Sequence, residues 1–133
     1  MKNFYIKILL VWFVILILAI LNGGFREGIL VPELGKTYGF VLSAILLSVI
    51  ILTIAYFTMP WFGKQQLKTY IIIGINWFYL TVVFEFTFGY FVLEKPWIEL
   101  LQAYTFNDGN LWPIVLIIVG IAPPLMAKAK GLL

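Results

Sequence analysis

The sequence contains no cysteine and no histidine among its 133 residues. Without cysteine there are no disulfides, no thiol redox chemistry and no thiolate-ligated metal sites. Without histidine there is no Ser-His-Asp triad, no Cys-His pair and no His-ligated haem. We therefore expect no metal ion and no cofactor, and the sequence assigns no catalytic residue.

Charge is also scarce. Charged residues make up 11% of the chain and hydrophobic residues 63%, whereas soluble domains have about 25% charged residues. The mean hydropathy is +1.06. A small soluble domain leaves a large share of its surface in water, so this composition does not suit one. The sequence predicts an all-α membrane protein whose first partner is the lipid bilayer.

Four apolar stretches are each long enough to cross a bilayer as a helix, which takes about 20 residues. They cover residues 8–31, 38–59, 70–93 and 111–127 approximately. This predicts a single transmembrane domain, 1–133, built as a four-helix bundle. Lys2 and Lys7 before the first stretch also resemble the start of a signal peptide, but Ala19-Ile20-Leu21 is a poor cleavage site and a retained helix is favoured.

Lysine and arginine placement predicts the orientation, because cytoplasmic loops of membrane proteins are enriched in these residues. One side carries six lysines and no acid: Lys2, Lys7, Lys64, Lys68, Lys128 and Lys130. The other side mixes Arg26, Lys36 and Lys95 with five acids. Both termini are expected in the cytoplasm, with the protein in a bacterial inner membrane. The basic residues form no run, so we expect no nucleic-acid partner.

Two proline-containing segments predict local features. Pro96 suits the first turn of a helix, and the residues after it can form an apolar face. This predicts a short interfacial helix in the outer loop between spans 3 and 4; its apolar residues would be Trp97, Ile98, Leu100, Leu101 and Tyr104. In span 4, Pro123 and Pro124 either mark the cytoplasmic end of the helix or bend its last stretch.

Glu85 is the acidic residue that lies inside a predicted span. An ionisable group at that depth costs about 2.5–3.5 kcal/mol on insertion scales, so it is a candidate functional residue. Thr81 and Gly89 lie one turn away from it on the same helical face. Gly89 is small enough for a neighbouring helix to approach closely. Asn76 faces the opposite side and is expected to bond another helix or a second subunit.

Arg26 is the cation best placed to reach Glu85 from span 1. Asn22 lies one turn below it, and Glu27 adds a second carboxylate. Gly23 and Gly24 either let helices pack tightly or break the helix to line a cavity. The predicted ligand, ion or proton site is therefore this set: Asn22, Arg26, Glu27, Thr81 and Glu85.

Several segments resemble a group of small bacterial four-span membrane proteins. The segments are 22–27, 32–35, 84–89 and 111–113. The resemblance covers most of the chain and implies four membrane helices. It assigns no activity, cofactor or site residue.

Three functions remain open at this point. In the first, the chain is a homo-oligomeric transport or permeation protein that uses an Arg26–Glu85 charge cluster. In the second, it is a scaffold or accessory subunit of a larger membrane complex, and the pair only holds helices together. In the third, it is an enzyme that acts on lipid, with a glutamate as base and Arg26 on a phosphate. The sequence favours the two functions without catalysis, because it shows no activated nucleophile and no phosphate loop.

Overall fold

The computed structural model describes residues 2–102, 105 and 111–132, and this part of the chain contains helices and no strand. The α-helices are α1 (Lys2–Phe25), α2 (Val31–Leu34), α3 (Lys36–Thr58), α4 (Leu67–Thr87), α5 (Trp97–Gln102) and α6 (Trp112–Ala129). The predicted all-α class is confirmed.

Short segments of other helix types extend α1, α3 and α4. The π-helical segment Arg26–Leu30 joins α1 to α2, and Phe88–Val92 continues α4 in the same way. A 3₁₀ turn, Met59–Phe62, follows α3. In the described part of the chain, this produces four helices long and apolar enough to cross a membrane: Asn3–Leu34, Lys36–Phe62, Leu67–Val92 and Trp112–Ala129.

The structure decides two features of the helices that the sequence left open. The first long helix runs through Gly23 and Gly24 without a break and turns π-helical only at Arg26. The fourth continues through Pro123 and Pro124 to Ala129, so the prolines do not end it. Each proline removes one backbone N–H donor, but a helix continues where the packing of neighbouring side chains stabilises the turn that contains the proline. Pro123 is buried here.

The two ends of the bundle are named after residues that lie there. The Lys7 end holds the start of α1, the connection between α3 and α4, and the end of α6. Contacts join these segments: the Lys7 ammonium donates to the Trp61 carbonyl oxygen at 3.0 Å, and the Lys130 ammonium lies 4.3 Å from the Tyr56 ring. The Arg26 end holds residues 26–35 and residues 88–102, which include α5.

The core fills the Lys7 end. Ala55, Tyr70, Ile73, Trp77 and Ala122 have no solvent-exposed surface. The indole nitrogen of Trp77 donates to the Ile8 carbonyl oxygen at 3.2 Å, which ties α4 to α1. This end of the bundle is closed by packed side chains from all four long helices.

Two helices of the core approach each other closely at Gly74 of α4 and Gly120 of α6. A methyl group added at Gly74 would overlap the Gly120 carbonyl oxygen. In a regular helix that oxygen would accept from the residue four positions later, which is Pro124 and has no N–H. The Gly120 carbonyl oxygen therefore lacks its regular helical hydrogen bond. Because Gly74 has no side chain, there is space for this oxygen between the two helices.

Large apolar side chains cover the outward faces of the bundle. On the first long helix, Ile6, Leu10, Phe13 and Leu21 are each more than half exposed. Water would make such a surface costly, whereas lipid solvates it. This exposure, together with four helices of sufficient length, indicates a multi-pass membrane protein.

Candidate functional site

A cavity of about 610 Å³ lies between the long helices toward the Arg26 end. Its deep residues are apolar and nearly or fully buried: Ile15, Ile51, Val115 and Val119 are each at most 3% exposed. Its outer residues are charged, and Glu27, Lys36 and Glu99 are exposed. The cavity therefore opens at the Arg26 end and closes against the core.

Residues of the first and third long helices line the cavity, and a hydrogen bond joins the two helices at Trp12. Trp12 donates from its indole nitrogen to the Thr81 hydroxyl at 3.0 Å, and that hydroxyl donates to the Trp77 carbonyl oxygen at 2.7 Å. The Trp12 and Phe84 rings meet edge to face, with centroids 6.2 Å apart. Thr81, a predicted site residue, thus holds the indole of Trp12 at the cavity floor.

Asn22 lies at the edge of the cavity and bonds a residue of the second long helix. The Ser43 hydroxyl donates to the Asn22 amide oxygen at 2.6 Å, and the Asn22 amide donates to the Ser43 carbonyl oxygen at 3.4 Å. Both residues are buried, at 5% and 1% exposure. This polar contact joins α1 to α3 and keeps the wall of the cavity in place.

Arg26 pairs with its neighbour in sequence. Its Nε lies 3.2 Å from Glu27 Oε1, and its guanidinium carbon lies 5.0 Å from the centre of the Phe40 ring. The Lys36 ammonium lies 5.9 Å from the centre of the same ring. Two cations from different helices therefore lie around one aromatic side chain at the opening of the cavity.

Glu85 is half-buried in the opposite wall. Its Oε2 accepts a hydrogen bond from the Trp112 indole nitrogen at 2.6 Å, which links α4 to α6. Arg26 and Glu85 both line the cavity. Within the described residues, however, the ion pair that Arg26 forms is with Glu27 and does not include Glu85. A direct Arg26–Glu85 interaction therefore stays a prediction.

The α5 helix lies beside the π-helical segment of the third long helix. Leu100 is buried, and a methyl group added at Gly89 would meet its side chain at 2.5 Å. The Trp97 ring stacks on Phe86 and on Tyr90, with centroids 5.8 and 4.9 Å away. Gly89 thus packs against α5, as a small residue in a helix contact; Tyr104, expected on the same apolar face, lies outside the described residues.

The other predicted packing residues have different surroundings. A methyl group at Gly24 would meet no atom within 4 Å, and one at Gly23 would meet only the Arg26 guanidinium, at 3.8 Å. The Asn76 amide donates to the carbonyl oxygen of Ile72, in its own helix, at 2.8 Å. A contact of Asn76 with another helix or a second subunit stays a prediction, and so does close helix packing at Gly23 and Gly24.

Sequence reasoning missed the residues that complete the cavity. Phe40 supplies the ring near the two cations, Ser43 the partner of Asn22, and Trp112 the donor to Glu85. Ser43 carried a usable signal, since a hydroxyl in a membrane helix needs a partner. Nothing in the sequence linked Phe40 or Trp112 to a particular charge.

The arrangement suits binding more than catalysis. The described residues contain no group of three or more acidic side chains that could hold a metal ion. Their polar groups line the opening of an apolar pocket whose volume is typical of sites for drug-sized ligands. Comparison of the chain with protein-family models, with curated proteins and with solved structures finds no match.

Proposed function

We propose that the protein is a small membrane transporter that takes an amphiphilic molecule into the cavity at the Arg26 end. The observation that carries this proposal is the shape of the space between the helices. A cavity of about 610 Å³ opens among charged residues and ends on a packed apolar core. Such a space accommodates a molecule with a polar head and an apolar body.

In this proposal the Arg26 end faces the outside of the cell and the Lys7 end faces the cytoplasm. The six lysines of the Lys7 side and its lack of acidic residues support this orientation. The α5 helix, with Trp97, Ile98 and Leu101 exposed, would then lie at the outer membrane interface. A bacterial inner membrane fits this arrangement.

The structure then corresponds to a state that is open outward and closed inward. Transport needs a second state, in which the core at the Lys7 end separates and the outer opening closes. A chain of this size does not enclose a large substrate by itself, and a homo-oligomer would supply further walls around the substrate. Glu85 and Arg26, on facing walls of the cavity, are the charges best placed to respond to a ligand.

Cysteine labelling tests this proposal, because the chain has no cysteine of its own. In reconstituted vesicles, Gly23→Cys in the cavity wall should react with a membrane-impermeant maleimide from the outer side. Its neighbour Gly24→Cys is the matched control, since it is exposed on the outer surface of the helix and does not line the cavity. It should react at least about tenfold more slowly. Equal rates would contradict an outward-open cavity.

A buried cysteine at the other end reports the second state. Ala55 has no exposed surface in the core. If the protein is a transporter, Ala55→Cys should react with the maleimide from the inner side over minutes, because the inward-open state is populated and exposes this position. If Glu85 couples the states, adding Glu85→Gln should change that rate. No reaction over hours, with an unchanged thermal unfolding midpoint, would contradict transport.

A scaffold function is the second candidate, and a specific observation favours it. Two polar residues of the long helices bond other helices: Asn22 joins Ser43, and Glu85 joins Trp112. A scaffold needs no second state, so Ala55→Cys should stay unreactive while Gly23→Cys still reacts. Labelling of both positions would exclude a purely structural role.

A further inference from the structure

The Lys7 end of the bundle is basic. The lysine side chains that the structure describes there are Lys7, Lys64, Lys68, Lys128 and Lys130. The described acidic residues lie toward the Arg26 end instead: Glu27, Glu33, Glu85, Glu94 and Glu99. The described part of the chain therefore places a cationic surface at the Lys7 end and keeps its carboxylates away from it.

Two of these lysines lie against aromatic rings of other segments. The Lys7 ammonium donates to the Trp61 carbonyl oxygen at 3.0 Å and lies 5.1 Å from the centre of the Trp61 ring. The Lys130 ammonium lies 4.3 Å from the centre of the Tyr56 ring and 5.5 Å from that of the Phe57 ring. A cation is attracted to the face of such a ring, so both ammonium groups have a preferred position.

These contacts distinguish Lys7 and Lys130 from the other lysines of the same end. Lys7 and Lys130 are half-buried, whereas the remaining side chains are exposed: Lys64, Lys68 and Lys128. A long side chain that is already ordered loses less conformational entropy when it binds a ligand. An ammonium also carries three N–H donors, and the backbone hydrogen bond of Lys7 uses one of them. Both ordered lysines can therefore still contact an anion.

The position of this end relative to a bilayer determines which anion is available. The four long helices are apolar and of membrane-spanning length, so in a bilayer their ends would lie at the level of the lipid headgroups. Tyr5 and Trp61, which are 50% and 49% exposed at this end, are residue types enriched at that level. We propose that the Lys7 end binds anionic phospholipids, with Lys7 and Lys130 each in contact with a headgroup phosphate. With this end toward the cytoplasm, these lipids would come from the inner leaflet.

Lipid titration of the full-length chain tests this inference. The protein in neutral detergent is titrated with dioleoyl phosphatidylglycerol or dioleoyl phosphatidylcholine, and bound molecules are counted by native mass spectrometry. The two lipids share their chains and a phosphate, and only phosphatidylglycerol has a net negative charge. It should bind about tenfold more tightly, and Lys7→Gln and Lys130→Gln should each weaken its binding about fivefold, the size expected for one lysine at an anionic membrane surface. Equal affinity for the two lipids would overturn the inference.

Matched variants separate the two ordered lysines from a diffuse positive charge. Lys128→Gln removes the same charge from an exposed side chain two residues before Lys130, and should weaken binding less than about twofold. Tyr56→Leu removes a ring beside Lys130 and should weaken binding although every lysine remains. Lys130→Arg keeps the charge and should retain more binding than Lys130→Gln. Equal losses for Lys128→Gln and Lys130→Gln would overturn the assignment to the ordered lysines.

Competitors decide whether the ligand is a lipid. Displacement of phosphatidylglycerol by glycerol phosphate at equal concentration would overturn the inference in favour of a soluble anion. Displacement by polyglutamate at equal charge concentration would overturn it in favour of an acidic protein partner.

Thermal unfolding midpoints show that each variant has folded. The midpoint of the unchanged protein should rise with phosphatidylglycerol and not with phosphatidylcholine, because a ligand of the folded state stabilises it. The cysteine labelling at Gly23 and Ala55 is a separate measurement, so the proposed transport function can fail while this inference stands.

Discussion

The two ends of the bundle differ in what fills the space between the same four helices. At the Lys7 end, side chains such as Ile73 and Trp77 are fully buried, in a core formed by all four long helices. At the Arg26 end, the helices enclose about 610 Å³ of open space. Helices in lipid gain little from burying apolar surface against each other, because lipid already solvates it. Close packing at one end can therefore hold a bundle that stays open at the other.

The contacts between helices also differ between the two ends. At the Arg26 end, side-chain hydrogen bonds join helices that line the cavity: Ser43 to Asn22, and Trp112 to Glu85. At the Lys7 end, the hydrogen bond from Trp77 to the Ile8 carbonyl oxygen is accompanied by close backbone contact at Gly74 and Gly120. Hydrogen bonds between helices therefore occur at both ends, and close backbone contact distinguishes the Lys7 end. Substitutions at equivalent positions of the two ends test this difference.

The largest effect is expected for tryptophan truncation. Trp77→Ala removes a fully buried ring and should lower the free energy of unfolding by about 3 kcal/mol. This value is at the low end of the range measured in soluble protein cores, because lipid solvates the apolar groups of the unfolded chain. Trp112→Ala, at the open end, should cost about 1 kcal/mol. Unfolding in mixed detergent, followed by circular dichroism, measures both. Equal losses would mean that the two ends are equally packed.

A smaller effect is expected at the glycine contact. Gly74→Ala places a methyl group against the Gly120 carbonyl oxygen and should destabilise the bundle by about 2 kcal/mol, as overpacking does in well-packed cores. Gly120→Ala is the matched control, because its new methyl group would meet the Phe78 side chain at an ordinary 3.6 Å. The thermal unfolding midpoint should fall clearly for the first variant only. A fall of similar size in both would show that the crossing is not specific to Gly74.

The smallest effect is expected at the polar contact between α1 and α3. Ser43→Ala leaves the Asn22 amide oxygen without the donor that it has now, and should cost about 1 kcal/mol, near the upper range for polar contacts between membrane helices. Asn22→Leu with Ser43→Ala removes both polar groups and should recover part of that loss. A double-mutant cycle measures the coupling; zero coupling energy would show that the bond does not stabilise the bundle.

Much of the architecture was predictable because helix formation in lipid depends on residues that are close together in the sequence. A spanning segment of about 20 apolar residues must make all its backbone hydrogen bonds internally, so the four long helices could be predicted from the sequence. The helical segment after Pro96 was visible for a similar reason, since its apolar residues recur at helical spacing. The continuation of the last helix through Pro123 and Pro124 was not, because it depends on the packing of that turn.

The candidate site was predictable only as a set of residues. Arg26 and Glu85 were found because charges in membrane helices are costly, and both line the cavity. The structure adds contacts to this set: Arg26 pairs with Glu27, and Glu85 accepts a hydrogen bond from the Trp112 indole. Spacing on an ideal helix does not report a contact with a different helix, or that each helix becomes π-helical near its charge.

The class of this protein follows from composition, since charge is scarce and apolar residues occur in long runs. The absence of cysteine and histidine excludes the chemistries that need them. Composition and spacing suffice for that, because lipid imposes the same requirement on every spanning segment. The tertiary structure was needed to show that the bundle is closed at Trp77 and open at Arg26, and that two cations lie near the Phe40 ring. Those facts depend on contacts between helices far apart in sequence, where packing at one crossing sets the separation of the helices elsewhere.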